Sequence, residues 1–331
     1  MKNFAMKLLV IMLLMIHKIT IADTVQLPCV NEVKIEKSWT TLADTAVLKL
    51  PSVSDEVDKS LGQVMKRGTK FNIELGYYFD GQEYLNQEFT GFVTRFHQTK
   101  PIKIELEDYA FLLKLKRVNK VWVKTDLKTV LNHLVSDTEI VLSEDVPNVE
   151  LDKFRVSNIN AFEALKKIKE EFGLTAYFRG KTLYAGLSLV ENVGEVDYNF
   201  NRNIISENLT YRDFVDEAIE VKGKGIQPDN TVLEVTVGEP DGIQKKFTSY
   251  TARTKAELKV QAEEEMERLR LGRYEGGVKT FLFPYATFGM TANVVDEENP
   301  SKNGAFNIDK VTTTFSSNGG RKEIELGKKL T

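Results

Sequence analysis

The chain has 331 residues, 42% apolar and 28% charged, with a formal net charge of −3 at pH 7. That length allows two or more packed domains, and the balance is that of an ordinary globular protein rather than a disordered or fibrous one. The mild acidity gives no basic footprint for wrapping nucleic acid, and no Lys/Arg run interleaved with aromatics supplies one locally.

At the N-terminus, Lys2 and Lys7 precede an apolar run from Leu8 to Ile16, too short to span a bilayer, and Thr20-Ile21-Ala22 has the look of a cleavage site. This resembles a secretory signal. Met15 to Ile21 also reads as an edge strand, however, and cleavage after Ala22 would cut it off. Residues 1–14 are therefore read as a leader or an over-extended start, with a signal peptide as the alternative.

Residues 15–114 read as short strands. Val33-Lys34-Ile35-Glu36 alternates, and Ala46-Val47-Leu48-Lys49-Leu50 stops at Pro51, which cannot donate to a ladder. Residues 52–68 are polar and suggest a long loop. Phe71-Asn72-Ile73-Glu74-Leu75 alternates as a half-buried strand should, and Asp80-Gly81 is a hairpin turn signal. Phe89–Phe96 and Ile102–Leu106 follow as strands, which together predict a small antiparallel barrel or sandwich.

Residues 115–190 change to an α+β pattern. Thr125 is placed to cap a helix with the stripe Leu127, Val130, Leu131, Leu134. Asn160 stands at a second N-cap with Glu163 three residues on, ahead of Phe162, Leu165, Ile168 and Phe172, and Gly173 sits where a helix stop wants a left-handed residue. Leu174–Phe178 and Thr182–Ala185 then read as a hairpin. Residues 191–224 and 276–331 return to strands, and 225–275 form an inserted hairpin and helix. Thr254 and Glu257 cap that helix, Leu258, Ala262, Met266 and Leu269 line it, and Arg268, Arg270 and Arg273 suit its negative end.

The first and last regions share blocks in one order. Asp44–Lys49 parallels Asp216–Val221, and Gly68–Ile73 parallels Gly289–Val294. Phe89, Val93-Thr94, Phe96 and Ile104-Glu105-Leu106 parallel Phe306, Val311-Thr312, Phe315 and Ile324-Glu325-Leu326. The expected fold class is thus β-rich α+β: two similar small antiparallel β-barrels, an α+β subdomain between them, and a hairpin-plus-helix insertion in the second. Three such chains around an axis would present six similar barrels, an almost six-fold ring from a three-fold assembly.

Several stretches invite a chemical reading. Glu105 and Glu107 share a strand face about 7 Å apart by strand rise, near Asp108, but nothing around them suggests a pocket that would raise one pKa, so edge charges that block aggregation are the better reading. Glu263-Glu264-Glu265 point different ways around a helix and do not converge. Gly223-Lys224-Gly225 is too short to cradle a phosphate and reads as a turn in a strand. His17, His97 and His133 read as surface or partly packed side chains, and Cys29, the one cysteine, as a packing residue; they offer no metal set and no internal disulfide. No G-x-S-x-G, H-E-x-x-H, P-loop or paired C-x-x-C occurs. No catalytic, cofactor-binding or metal-binding residue is assigned, and the chain is read as not an enzyme.

Asp44-Thr45-Ala46 before a strand ending at Pro51, then Phe71–Tyr77, Glu88–Val93 and Ile104–Asp108 with Tyr109, Leu112 and Lys114, resemble the opening of contractile-tail hub proteins. Glu275-Gly276, Pro284, Gly289, Gly304–Val311 and Gly320–Gly327 are similar to the closing barrel of the late control D family of phage baseplate hub or tail tip proteins. That family is related to the N-terminal part of type VI secretion spike proteins. The resemblance covers nearly all of residues 16–330. It implies a homotrimer with a central channel, placed between the tail tube protein and the spike, in a virion tail baseplate assembled in the bacterial host cytoplasm. A tape-measure protein would be a further partner; a small-molecule substrate and specific nucleic-acid binding are not expected. No spike β-helix or lysozyme-like domain precedes Thr331, so the spike is expected to be a separate protein. The alternative function is a secreted or periplasmic β-rich binding protein.

Overall fold

The computed structural model describes residues 13–52, 62, 64–151, 153–172, 174–186, 193–212, 218–227, 231–249, 252–270 and 273–330. The leader lies almost wholly outside them. The first strands are β1 (Leu14–Ile21), β2 (Val25–Leu27), β3 (Glu32–Ser38), β4 (Thr45–Leu50), β5 (Lys70–Phe79), β6 (Gln82–His97) and β7 (Ile102–Glu107). They pair in the order β2-β1-β5-β6-β7-β4-β3. Alternation does the sorting: Ile19, Ile21, Val33, Ile35, Leu48, Phe71, Ile73 and Ile104 all turn into one core. Pro51 follows the last residue of β4, and the β5–β6 turn has positive φ at both Asp80 (48°) and Gly81 (78°), the geometry that matches strand twist.

The middle region holds α1 (Ala110–Leu115), β8 (Arg117–Trp122), β9 (Thr125–Asp126), α2 (Leu127–Val135), β10 (Val141–Leu142), β11 (Glu150–Leu151), β12 (Phe154–Asn160), α3 (Ala161–Phe172), β13 (Thr175–Arg179) and β14 (Thr182–Gly186). The stripe Leu127, Val130, Leu131, Leu134 is buried as its spacing demands. The α2 cap is Asp126 rather than Thr125: its carboxylate accepts the Thr129 N–H at 2.8 Å, while Thr125 is used in a short ladder with Leu151. Asn160 caps α3 as expected, accepting the Glu163 N–H at 2.7 Å. Gly173 lies outside the described residues.

The last region comprises β15 (Glu195–Asn199), β16 (Ile204–Glu207), β17 (Thr210–Arg212), β18 (Ile219–Ile226), β19 (Val232–Gly238), β20 (Ile243–Ser249), α4 (Lys255–Arg270), β21 (Arg273–Thr280), β22 (Thr291–Val295), β23 (Gly304–Ser316) and β24 (Gly319–Lys329). β18 is the middle of a separate three-stranded sheet, β19-β18-β20, and α4 packs on it through Leu258, Ala262 and Leu269. Thr254 caps α4 by accepting the Glu257 N–H at 3.2 Å. The side chains of Arg268, Arg270 and Arg273 are outside those described.

The hydrogen-bond ladders repeat one strand order twice. The first stretch runs β1-β5-β6-β7-β4-β3 and the second β15-β22-β23-β24-β21-β16, with strands of matching rank in chain order at each place. The match extends to single bonds. Gly68 N–H donates to Val93 O and Val93 N–H to Thr69 O; Gly289 N–H donates to Ile308 O and Ile308 N–H to Met290 O. Gly68 (φ 91°) and Gly289 (φ 81°) both need the left-handed backbone that glycine tolerates. Leu106 opposes Val93 as Leu326 opposes Ile308. The parallels Gly68–Ile73 with Gly289–Val294 and Ile104–Leu106 with Ile324–Leu326 therefore hold residue for residue.

Other parallels do not. Val93 corresponds to Ile308, not Val311, because the β23–β24 hairpin is longer than the β6–β7 hairpin: Phe96 opposes Ile104 in one and Val311 opposes Ile324 in the other. The place of β4 is taken by β21, not by 216–221; Asp216 and Glu217 lie outside the described residues, and β18 belongs to the insertion sheet. The repeat is also imperfect at one edge, since β1 runs antiparallel to β5 but β15 parallel to β22. Nor does either unit close into a barrel. β3 pairs onward with β23, so the two units are parts of one open fourteen-stranded sheet. The physical reason is the length of β23: its first half pairs with β22 and its second half, Lys310–Ser316, offers the same edge to β3.

Candidate assembly interface

The junction between the units starts from the β3·β23 ladder, which runs from Glu32 opposite Ser316 to Ser38 opposite Lys310. The Val311–Phe315 stretch is interior to the sheet, with β24 on one side and β3 on the other. Val311 is 2% and Phe315 6% exposed. Phe315 and Leu282 come from the second unit but pack in the core of the first, where Phe315 meets the His17 ring edge-on at 5.7 Å. The Tyr77 hydroxyl accepts the Leu282 N–H at 3.4 Å and lies 3.4 Å from Gly320 O, to which it donates. Trp39 Nε1 donates to Asp309 Oδ1 at 2.9 Å across the same seam.

A buried ion pair lies between the units. Ile73 opposes Phe89 and Glu74 opposes Gln87, so Glu88 is the extra residue of a β-bulge. A bulge re-aims its side chain, and Glu88 turns inward beside Phe89 instead of outward. Glu88 is 1% and Lys322 0% exposed, with Lys322 Nζ 2.9 Å from Glu88 Oε1. That contact is close but not aligned as a hydrogen bond, since Oε1 has no hydrogen-bond partner. Lys322 Nζ donates to Ala286 O at 3.2 Å and lies 4.4 Å from the centre of the Tyr285 ring; Thr313 Oγ1 donates to Glu88 Oε2 at 3.4 Å. Burial pulls the Lys322 ammonium below its ordinary range, against the opposing pull of the Glu88 charge. The nearby Tyr198 hydroxyl is pushed up, chiefly by burial.

A second buried set ties the first unit to the α+β region. Asp108 Oδ2 accepts the Asp44 N–H at 2.9 Å, Asp108 Oδ1 accepts the Ala110 N–H at 2.9 Å, and Asp44 Oδ1 accepts the Ser38 N–H at 3.0 Å. Burial pushes the Asp44 carboxyl up to about 7, opposed by the Lys37 charge and the Ser38 N–H. Asp108 is raised too, first by burial and then by the Asp44 charge. Sequence reading missed both buried sets. Lys322 carried a signal, since it shares strand parity with the buried Ile324 and Leu326.

The residues weighed for chemistry scatter. Glu105 holds Lys103 at 2.7 Å, with His97 at 3.4 Å and Arg95 at 3.8 Å, and the Lys103 hydrogen bond leads in lowering its pKa. Glu107 pairs separately with Lys114, and Asp108 faces the backbone bonds just described. Glu263 and Glu264 are exposed, Glu265 half-buried, and Glu263 pairs with Lys259 one turn back. Gly223 and Gly225 sit within straight β18 rather than at a turn; a Cβ there would lie 2.8 Å from the Phe247 ring and 3.2 Å from Leu258, so the glycines admit packing neighbours. His133 meets Trp122 edge-on at 5.4 Å, whereas His17 meets Phe315. Cys29 is exposed in the β2–β3 loop, not a packing residue. Among the described residues no group of three or more His, Cys, Asp and Glu is set to hold a metal ion, and no helix is long and apolar enough to cross a membrane.

No protein-family model matches the chain, and no curated protein matches it. Solved structures do. A tail protein from Neisseria meningitidis superposes with a TM-score of 0.60 at 17% identity, covering 94% of this chain and 96% of its own. The 43 kDa tail protein of prophage MuSo2 from Shewanella oneidensis gives 0.61 at 11% identity, covering 95% and 98%. An Escherichia coli component of the type VI secretion system, described as structurally similar to bacteriophage T4 tail proteins, gives 0.56 at 10% identity, covering 93% of this chain and 76% of its own. The fold is thus shared, over nearly the whole chain, with phage tail proteins and a type VI secretion component.

Proposed function

We propose that this chain is a structural, non-catalytic hub subunit of a phage-type tail baseplate. In this reading three copies form a ring whose six β units make a pseudo-hexameric collar. The collar joins the tail tube protein on one side to a separate spike protein on the other, with a lumen that passes a tape-measure protein. Each unit acts as one lobe of the collar. Assembly takes place in the host cytoplasm before the part enters the virion.

The observation that carries the reading is the repeated six-strand order within a single continuous sheet. A chain built of two like units joined side by side supplies alternating, nearly equivalent positions, which is what matching three-fold to six-fold symmetry requires. The tail proteins that share the fold support the same role. The competing reading, a secreted binding protein cleaved after Ala22, would discard β1, whose Ile19 and Ile21 are 0% and 1% exposed and which ladders along β5 from Leu14 to Ile21.

A reconstruction of tail particles tests the proposal. The expected result is three copies of this chain at the tube–spike junction. One copy, six copies, or a position away from that junction would refute it.

A further inference from the structure

The seam between the units is a worked example of a contact that the chain has the parts to make once more. β3 lies on β4 with Glu36 opposite Thr45, and its other edge takes β23 with Glu36 opposite Thr312. In the second unit β17 lies on β21 with Thr210 opposite Glu275. Ala46 and Gly276 both oppose the matched leucines, Leu106 and Leu326, so Thr45 corresponds to Glu275 and Glu36 to Thr210. On the receiving side, His97 opposes Lys103 and Phe96 opposes Ile104 in the first unit; Thr312 opposes Glu323 and Val311 opposes Ile324 in the second. His97 therefore corresponds to Thr312.

These equivalences identify two strand edges. Among the described residues β16 and β17 pair only with β21, and the Arg95–His97 end of β6 pairs only with β7. Ile205 on β16 is 42% exposed and the Arg95 side chain 74%. The counterpart of that β6 end, Lys310–Thr312, uses both of its edges, one for β24 and one for β3. Unpaired strand edges are templates for pairing with another chain.

Resting on the ring reading above, we infer that the β16–β17 edge of one copy takes the Arg95–His97 end of β6 from a second copy, antiparallel, with Thr210 opposite His97. The contact inside a chain carries the first unit to the second; this one carries the second unit to the first unit of the next copy. Alternating the two gives a heterologous head-to-tail contact, which closes into a ring when its rotation divides the circle. A second copy is the occupant because the chain already contains the matching pair of surfaces in its own seam.

Cysteine trapping tests the register. Residues directly opposite in an antiparallel pair bring Cβ atoms within about 5.5 Å, close enough for a disulfide after small adjustment. With Cys29→Ser as background, the full chain carrying Thr210→Cys and His97→Cys is oxidised mildly, and its mass before oxidation is read by light scattering. The expected result is a multimer whose subunits shift on a non-reducing gel to twice and three times the chain mass, with no shift for either single cysteine. Leu209→Cys with Gln98→Cys, one step along the same register, should link as well and serves if the first pair misfolds. A multimer that links through Gln26→Cys on β2 but through neither of these pairs overturns the inference and leaves the ring standing. A chain that stays monomeric with and without tube and spike partners, and links nowhere, overturns both.

Discussion

Replacing Glu88 with glutamine keeps the side-chain shape but removes its charge, leaving the wholly buried Lys322 ammonium opposite a neutral amide. Removing one partner of a buried ion pair costs about 3–5 kcal/mol, because the survivor keeps its desolvation cost without its counter-charge. Lys322→Met should cost a similar amount by stranding Glu88, for which the Thr313 hydroxyl at 3.4 Å is a weak substitute. The double variant Glu88→Gln/Lys322→Met buries no charge and should recover most of the loss, giving a favourable coupling on the order of 3 kcal/mol in a double-mutant cycle. Urea unfolding of the four proteins at pH 7 measures it. The pH dependence supplies a second check. Burial already lowers the Lys322 pKa, and loss of Glu88 removes the charge that opposes this. With a folded pKa below the unfolded one, the unfolded state binds more protons between the two values, so stability rises with pH there. The Glu88→Gln deficit should accordingly shrink from pH 7 to pH 9. Additive single losses, a Glu88→Gln cost below about 1 kcal/mol, or a deficit that grows with pH would each refute the argument.

The Asp44 carboxyl, raised by burial to about 7, binds its proton more tightly folded than unfolded, so it contributes stability at low pH that is lost as pH rises from about 4 towards 7. Asp44→Asn should flatten that slope in melts taken at pH 5 and pH 8, and an unchanged slope would count against it. A chain started at Met15 should melt within a few degrees of the full chain, whereas one started at Asp23 should fail to fold, because the latter loses the β1 ladder and the burial of Ile19 and Ile21, about 1.5–3 kcal/mol for each side chain; equal melts for the two would show that β1 is dispensable. Cys29→Ser should change unfolding free energy by no more than about 0.5 kcal/mol, as expected of an exposed loop residue, and a larger loss would reveal a contact for the thiol.

Local features were legible because each is fixed by neighbours in sequence. Asp80-Gly81 forms its turn from its own backbone preferences, Asn160 finds its acceptor geometry three residues away, and Pro51 ends β4 by lacking an N–H. The repeat was legible where strands are unbroken, at Gly68–Ile73 and Ile104–Leu106. It was misread at Val93 and at Asp44–Lys49, because alternation alone cannot show how far a hairpin extends or distinguish β21 from β18. Barrel closure was not legible at all. Whether β3 folds back or pairs onward depends on β23, some 270 residues away in chain terms, and no local pattern carries that choice.

The seam illustrates why the joining residues escape a strand-by-strand reading. Glu88 and Asp309 are each the unopposed residue of a bulge, and each reaches across the junction, Glu88 to Lys322 and Asp309 to Trp39. A regular strand alternates its side chains between two faces; a bulge takes one residue out of that alternation, and at Glu88 and Asp309 the re-aimed side chain faces the junction. Thr94, which holds the place of Asp309 in the first unit, is likewise unopposed, but its hydroxyl turns back to Glu105 O at 3.0 Å. The two units thus share strand order, the left-handed glycine and the bulge position, and differ in what the bulge residue does. The difference is the one expected if the second unit's bulge serves the seam within the chain, whereas the first unit's bulge lies next to the β6 edge assigned to another copy.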